Sequence, residues 1–175
     1  MTLWVFGYGS LLWNPGFTPA EQQVATLQGY ARSFCMRSIH HRGTEEAPGL
    51  VLALDKSPEG LCDGIAFRVT PGEEERVLSE LRERELISSA YYEDHVMLDF
   101  RDGRRVEAVA YIIDPDHVQY CALDLETQAQ IIASAVGGRG PNHEYLHNTA
   151  EHLNEVGLED ADLNWLSNRV RGLMG

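Results

Sequence analysis

Strand-forming segments occupy the first two thirds of this sequence, and helical segments occupy the last third. The predicted strands are short runs rich in apolar, aromatic and β-branched residues, at positions 3–6, 30–36, 50–54, 65–69, 91–98 and 106–113. One helix interrupts these strands, and three helices close the chain. Because strands and helices do not alternate, the order predicts an α+β fold with an antiparallel or mixed sheet that closes into a small barrel.

Length and composition limit the classes of protein to be considered. At 175 residues, without a visible linker or repeat, the chain is expected to form one domain over residues 1–175. Its formal net charge of −13 would repel nucleic acid and anionic membrane surfaces, so neither is an expected partner. The three cysteines form no CxxC unit, and the N-terminus has no basic leader, which indicates the reducing cytosol.

Several local signals predict where helices and turns begin and end. The segment Thr70-Pro71-Gly72-Glu73 has the spacing of a capping box with proline at the first helical position, and predicts a helix to about Leu86. Asp102-Gly103 predicts a hairpin turn. The predicted N-caps of the later helices are Asp124, Asn142 and Asp160, and the predicted stops are Gly137 and Gly157.

Glu85 lies on the apolar face of the first predicted long helix. At about 100° per residue it projects onto the same stripe as Val77 and Leu81, near the C-terminal end of the helix. Burial and the negative end of the helix dipole both raise the pKa of a carboxyl group, and such a group can shuttle protons near neutral pH. An exposed position, or an ion pair with Arg82 or Arg84, explains the same pattern. Periodicity therefore indicates a site without naming a reaction.

A glycine-containing loop, Phe6-Gly7-Tyr8-Gly9-Ser10-Leu11, follows the first predicted strand directly. Alternate glycines allow the backbone to approach a ligand closely, and consecutive N–H groups can bind an anion or an oxyanion. The loop is not a dinucleotide-binding fingerprint, because position 12 is leucine. The next four residues, 13–16, predict a turn rather than a helix. Taken alone, the glycine pattern is equally typical of a plain tight turn.

A second motif suggests a different chemistry. His143-Glu144-Tyr145-Leu146-His147 has the HExxH spacing of a zinc hydrolase, in which two histidines bind the metal and Glu144 activates a water. Pro141-Asn142 places His143 in the first turn of its helix, and a third ligand is unclear. A zinc metallohydrolase is therefore one alternative. A catalytically inactive regulatory or binding module is another.

Five blocks of the sequence resemble the ChaC-like, glutathione-specific γ-glutamylcyclotransferases, and they stand in that family's order. The blocks are residues 5–17 (VFGYGSLLWNPGF), 41–54 (HRGTEEAPGLVLAL), 62–69 (CDGIAFRV), 84–86 with 90–91, and 141–146 (PNHEYL). The resemblance implies the family's fold, a small mixed β-barrel with flanking helices. It also implies a lyase-type reaction in which the α-amine of glutathione attacks its own γ-carbonyl, giving 5-oxoproline and Cys-Gly without a cofactor or a metal.

The resemblance also implies the residues of the site. The family's YGSL loop, which holds the γ-glutamyl moiety, corresponds to Tyr8, Gly9, Ser10 and Leu11. Its catalytic glutamate corresponds to Glu85. The arginine of its RG motif corresponds to Arg42, and the tyrosine of its EYL motif corresponds to Tyr145. Many members have fewer residues between the glutamate and the tyrosine at position 91, so Glu83 is a minor competitor. Arg37 is a further candidate for a substrate carboxylate, although a surface ion pair explains it equally well.

Overall fold

The computed structural model of the chain describes residues 2–86 and 89–175. Within these ranges seven strands and five helices alternate irregularly along the sequence. In chain order they are β1 (Trp4–Gly7), α1 (Ser10–Trp13), β2 (Glu21–Ser38), β3 (Gly49–Arg68), α2 (Glu74–Glu85), β4 (Tyr91–Phe100), β5 (Arg105–Ile113), α3 (Leu125–Ser134), β6 (Val136–Gly137), β7 (Gly140–Pro141), α4 (Asn142–Glu155) and α5 (Ala161–Met174).

The first five strands form a closed barrel in the order β1-β3-β2-β4-β5. β1 runs antiparallel to β3, with Trp4 opposite Arg68, and parallel to β5, with Val5 opposite Val109. β4 and β5 form an antiparallel hairpin whose turn contains Gly103 at a φ of +92°, as Asp102-Gly103 predicted. The predicted α+β class and the mixed barrel are therefore confirmed.

The chain divides into two compact units, with one boundary within β2, one within β3 and a third between β5 and α3. The first unit comprises Met1–Arg32 and Leu54–His117, and the second comprises Ser33–Ala53 and Val118–Gly175. The single domain expected over residues 1–175 stays a prediction. Among the described helices, none combines the length and the apolar character needed to cross a lipid bilayer.

The alternation of side chains along β1 gives the first unit two apolar clusters. Trp4 and Phe6 belong to a cluster that includes Leu98 and Ile112 of the β4–β5 hairpin. Successive strand residues point to opposite faces, so Val5 belongs to the other cluster. That second cluster contains Val77 and Leu81 of α2 together with Leu11, Val109 and Tyr111. Helix α2 therefore packs against this cluster through Val77 and Leu81, the apolar face on which the sequence also places Glu85.

The second unit contains α3, α4 and α5, and its buried residues include Ile132, Leu146 and Leu163. Two of its predicted caps are confirmed: the Asp124 carboxylate accepts from the Thr127 N–H at 2.7 Å, and that of Asp160 accepts from the Leu163 N–H at 3.1 Å. Gly157, at a φ of +79°, follows the last turn of α4 as predicted.

Other predicted helix boundaries are wrong. The residue that caps α2 is Glu73, not Thr70, because Gly72 adopts a φ of +96° and cannot belong to the helix. Asn142 is the first residue of α4 instead of its cap, and Gly137 lies in β6 beyond the end of α3.

The predicted strands 30–36, 50–54 and 65–69 are too short. The first belongs to β2, which continues through Gly29 at a φ of +86°, and the other two are parts of the single strand β3. Residues 13–16 were expected to form only a turn, yet Trp13 ends the one-turn helix α1.

Candidate active site

Close backbone packing positions the loop after β1. A Cβ atom on Gly7 would lie 3.0 Å from the Leu12 amide nitrogen, so glycine relieves crowding where the chain folds back. The Tyr8 side chain is buried, and Gly9 precedes the single turn of α1. Ser10 and Leu11 are the first residues of that turn, where amide N–H groups have no partner within the helix. The loop therefore presents consecutive backbone amides beside the buried side chains of Tyr8 and Leu11.

A buried arginine fixes the orientation of this loop. Arg32 is 8% exposed, and its Nη1 donates to the carbonyl oxygens of Tyr8 and Asp63, each at 2.9 Å. The peptide that carries the Tyr8 carbonyl also carries the Gly9 N–H, which points the opposite way because the peptide is planar. Arg32 thus sets the direction of that N–H. Sequence reasoning missed this residue, although a basic side chain within an apolar strand is the signal that could have found it.

Glu85 is the last residue of α2, and its side chain is only 16% exposed. Burial raises the pKa of the Glu85 carboxyl above its ordinary value, and the positive charge of Arg84 only partly offsets this effect. The prediction that Glu85 lies on the apolar face of the helix is confirmed. The pairing with Arg84 that was left as an alternative is present as well. Glu83, the minor competitor, is exposed to solvent.

Arg84 brings the loop and Glu85 together. Its Nη2 donates to the Ser10 hydroxyl at 3.1 Å, and its Nη1 donates to the Asn14 carbonyl oxygen at 2.7 Å. Its Nε lies 3.5 Å from Glu85 Oε1. One guanidinium therefore connects the end of α2 to the glycine loop. From the sequence, Arg84 was expected only as an ion-pair partner of Glu85. Its contacts with Ser10 and Asn14 join distant parts of the chain, so local patterns do not predict them.

A second carboxylate nearby has the opposite environment. Glu93 accepts two hydrogen bonds from Arg82 at 2.9 Å and one from the Tyr111 hydroxyl at 2.9 Å. These donors hold the pKa of Glu93 below its ordinary value, while burial raises the pKa of Tyr111. Their arginine neighbours and burial therefore shift the pKa values of Glu93 and Glu85 in opposite directions, down for Glu93 and up for Glu85. Carboxylates with pKa values pushed apart are a common basis for assigning acid and base roles.

The second unit places Arg42 and Tyr145 together. Arg42 Nη1 donates to the Pro141 carbonyl oxygen at 3.1 Å and lies 3.6 Å from Glu144 Oε1. Its guanidinium lies 5.8 Å from the centre of the Tyr145 ring, and the Tyr145 hydroxyl accepts from the Leu52 N–H at 3.2 Å. Arg37 instead lines a cavity of about 320 Å³, whose described lining includes neither Arg42 nor Tyr145.

The HExxH residues have other partners. α4 begins at Asn142, so His143 lies in the first turn as predicted. His147 Nδ1 is hydrogen-bonded to the Ser167 hydroxyl at 2.7 Å, and Glu144 forms the ion pair with Arg42. Within residues 2–86 and 89–175, no group of three or more histidine, cysteine, aspartate or glutamate side chains is placed to hold a metal ion.

Comparisons with known proteins agree with one another. The sequence model of the ChaC-like protein family matches residues 3–173. The glutathione-specific γ-glutamylcyclotransferase of Escherichia coli is 39% identical, over 98% of this chain and 74% of that protein. The γ-glutamylcyclotransferase 2-3 of Arabidopsis thaliana is 34% identical, over 99% of this chain and 91% of that protein. The crystal structure of a γ-glutamyl cyclotransferase specific to glutathione from yeast aligns with a TM-score of 0.86, covering 98% of this chain and 96% of that one; its 22% identity shows the fold alone.

Proposed function

The chain belongs to the ChaC-like protein family, and on that basis we propose that it is a glutathione-specific γ-glutamylcyclotransferase, a lyase of glutathione catabolism. The α-amine nitrogen of the γ-glutamyl residue bonds to the γ-carbonyl carbon, and the bond from that carbon to the cysteine nitrogen breaks. The products are 5-oxoproline and Cys-Gly. The nucleophile belongs to the substrate, so the reaction requires no cofactor and no nucleophilic side chain of the protein.

Glu85 is the proposed general acid and base. It removes a proton from the substrate's α-ammonium group and returns one to the departing amine nitrogen. The observation that carries this proposal is the burial of Glu85, which raises its pKa, beside an arginine that reaches Ser10 of the loop. A carboxyl group tuned in this direction is suited to proton transfer near neutral pH, and one such group contributes about 10²- to 10⁴-fold in rate.

The loop from Tyr8 to Leu11 is the proposed holder of the γ-glutamyl moiety. Amides of Gly9, Ser10 and Leu11 would stabilise the oxyanion that forms when the amine adds to the γ-carbonyl, at about 2.7–4 kcal/mol per donor. The fixed direction of the Tyr8–Gly9 peptide, held by Arg32, supports this role. A rigid loop also holds the folded substrate in a reactive conformation, which lowers the barrier further.

The substrate's carboxylates need cationic partners, and the proposed ones are Arg42, assisted by Tyr145, and Arg37. Arg42 already interacts with a carboxylate, because Glu144 lies 3.6 Å away and is 52% exposed. Because water reaches the Glu144 side of this pair, the pair contributes about 1 kcal/mol, so a substrate carboxylate can take the place of Glu144. A guanidinium can also bind a carboxylate through two parallel hydrogen bonds.

The proposed location is the cytosol. Cys35, Cys62 and Cys121 are buried thiols, and none of them forms a disulfide. Thiols persist in reducing compartments, which supports this location.

A product assay tests the proposed function directly. The purified chain is incubated with glutathione, and 5-oxoproline and Cys-Gly are quantified by mass spectrometry, with and without a metal chelator. The expected result is equal amounts of both products, unchanged by the chelator. Absence of 5-oxoproline would indicate an inactive binding module. Release of free glutamate that the chelator abolishes would instead indicate a zinc hydrolase acting through residues 143–147.

A further inference from the structure

The cavity at Arg37 lies entirely within the second unit. Its volume of about 320 Å³ is at the lower end of the range of small-molecule sites. Arg37 is the one charged residue among the described lining residues, and Ser134 is the one residue with a hydroxyl group. Most of the other lining residues are apolar, among them Pro48, Leu50 and Ile131.

The guanidinium of Arg37 has no acidic partner in the described part of the chain. Its side chain is half-buried, and arginine remains charged at every physiological pH. The two glutamates that precede the cavity loop, Glu45 and Glu46, are exposed and do not pair with it. In a protein of net charge −13, an unpaired cation at the wall of a cavity is an uncommon arrangement, and it favours an anion.

The backbone at Arg37 is fixed before any ligand binds. Its N–H donates to the Gln119 carbonyl oxygen at 2.7 Å, and its carbonyl oxygen accepts from Gln119 Nε2 at 2.8 Å. The Ser134 hydroxyl already bonds to carbonyl oxygens within its own helix, at 3.3 and 3.4 Å. Arg37 is therefore the one charged donor residue among the described lining residues.

We propose that this cavity binds one carboxylate group of a small organic acid, with the carboxylate on Arg37 and an apolar part of the acid against the remaining wall. A single planar guanidinium matches a carboxylate through two hydrogen bonds, whereas a phosphate dianion is better matched by more than one cation, and Arg37 is the one cationic residue among the described lining residues. The C-terminal end of α3 also lines the cavity and carries partial negative charge. It therefore directs the carboxylate toward Arg37 and the apolar part of the ligand toward Ile131 and Ala135.

Titration with benzoate and its neutral counterpart benzamide tests this site. Binding to the full chain is measured by calorimetry and by amide shifts in NMR spectra. Benzoate is expected to bind at least about tenfold more tightly than benzamide, because one charge-assisted pair is present only with the acid. The largest amide shifts are expected at Leu50 and Ala135.

Two variants and one control separate the role of Arg37 from general effects. Arg37→Gln is expected to remove the preference for benzoate, while Arg171→Gln, an exposed arginine of α5, keeps it. Ser134→Leu keeps the charge but fills the cavity, and is expected to weaken benzoate binding even if Arg37→Gln does not fold. Equal binding of the two probes, unchanged binding to Arg37→Gln, or amide shifts confined to other regions would each overturn the proposal.

Competition with glutathione distinguishes the source of the carboxylate. If glutathione displaces benzoate from the Glu85→Gln variant, the site accepts a carboxylate of the substrate. If it does not, the site serves a separate acid. Either result supports the cavity as a carboxylate site. Benzoate binding does not depend on turnover of glutathione. If the product assay detected no 5-oxoproline, the benzoate titration would therefore still test the cavity.

Discussion

Two glutamate–arginine pairs, one in each compact unit, have nearly the same separation but different surroundings. Glu85 Oε1 lies 3.5 Å from Arg84 Nε, and Glu144 Oε1 lies 3.6 Å from Arg42 Nη1. The Glu85 side chain is 16% exposed, whereas that of Glu144 is 52% exposed. Burial raises the pKa of Glu85 in spite of its arginine neighbour.

Solvent access, rather than the distance to a cation, is therefore what distinguishes the two glutamates. A carboxylate in water is stabilised by the solvent as well as by its partner, so an added ion pair changes its chemistry little. A carboxylate on an apolar helix face loses that solvation, and its neutral form becomes easier to populate. The formal HExxH motif belongs to the exposed glutamate, while Glu85 belongs to no motif of comparable simplicity.

The largest expected effect is the loss of turnover in Glu85→Gln. Glutamine preserves the size of the side chain but cannot accept and return a proton, so kcat should fall by at least about 10²-fold. Glu83→Gln, an exposed position of the same helix, is the matched control and should keep kcat near that of the unmodified chain. Formation of 5-oxoproline by Glu85→Gln at the unmodified rate would remove Glu85 from the mechanism.

A smaller effect is expected for Arg84→Met, which removes the contacts with Ser10 and Asn14. The loop loses one of its anchors, so kcat/KM should fall about tenfold, in line with the loss of a charge-assisted hydrogen bond. Because Arg84 lowers the pKa of Glu85, its removal should also move the acid limb of the rate profile to higher pH. The control is Arg76→Met, whose contacts with Glu73 and Glu80 are exposed. An unchanged pH profile for Arg84→Met would contradict the coupling.

The smallest effect is expected for Glu144→Gln. The Glu144 carboxylate is 52% exposed although the Arg42 side chain is largely buried, so their ion pair is expected to contribute about 1 kcal/mol, and 5-oxoproline formation should stay within about fivefold of the unmodified rate. Steady-state kinetics with glutathione measures this. A fall of about 10²-fold in the rate of Glu144→Gln would contradict this expectation and make Glu144 a candidate for the catalytic glutamate.

Local sequence patterns predicted the parts of the fold that depend on local interactions. The β4–β5 hairpin follows from its turn residues and flanking apolar strands, and the caps Asp124 and Asp160 bond within their own first turns. The position of Glu85 follows from helical periodicity, because Val77 and Leu81 do form the buried stripe.

The parts that the sequence did not predict depend on distant residues. A Cβ on Gly60 would lie 2.6 Å from the Tyr30 carbonyl oxygen, so this glycine allows close packing within a long strand instead of ending it. The Asn142 amide bonds to the backbone of Leu50, 92 positions away, at 2.8 Å in both directions, and so is not a cap.

The same limit applies to the candidate site. Arg84 contacts Ser10, which is 74 positions away in the sequence, and Arg32 contacts Tyr8, which is 24 positions away. Neither arginine belongs to a recognisable local motif. Arg42, Tyr145 and Arg37 stay predictions as substrate-binding residues.

The most direct measurement of the central claim is the titration of Glu85 itself. The chain is labelled with ¹³C at glutamate Cδ, and the signal absent from Glu85→Gln identifies the residue in NMR spectra. Because burial disfavours the ionised form, Glu85 should titrate above its ordinary pKa of 4.5, and kcat/KM should fall as pH decreases through the same midpoint. A midpoint at or below 4.5, or an acid limb unrelated to it, would contradict the account.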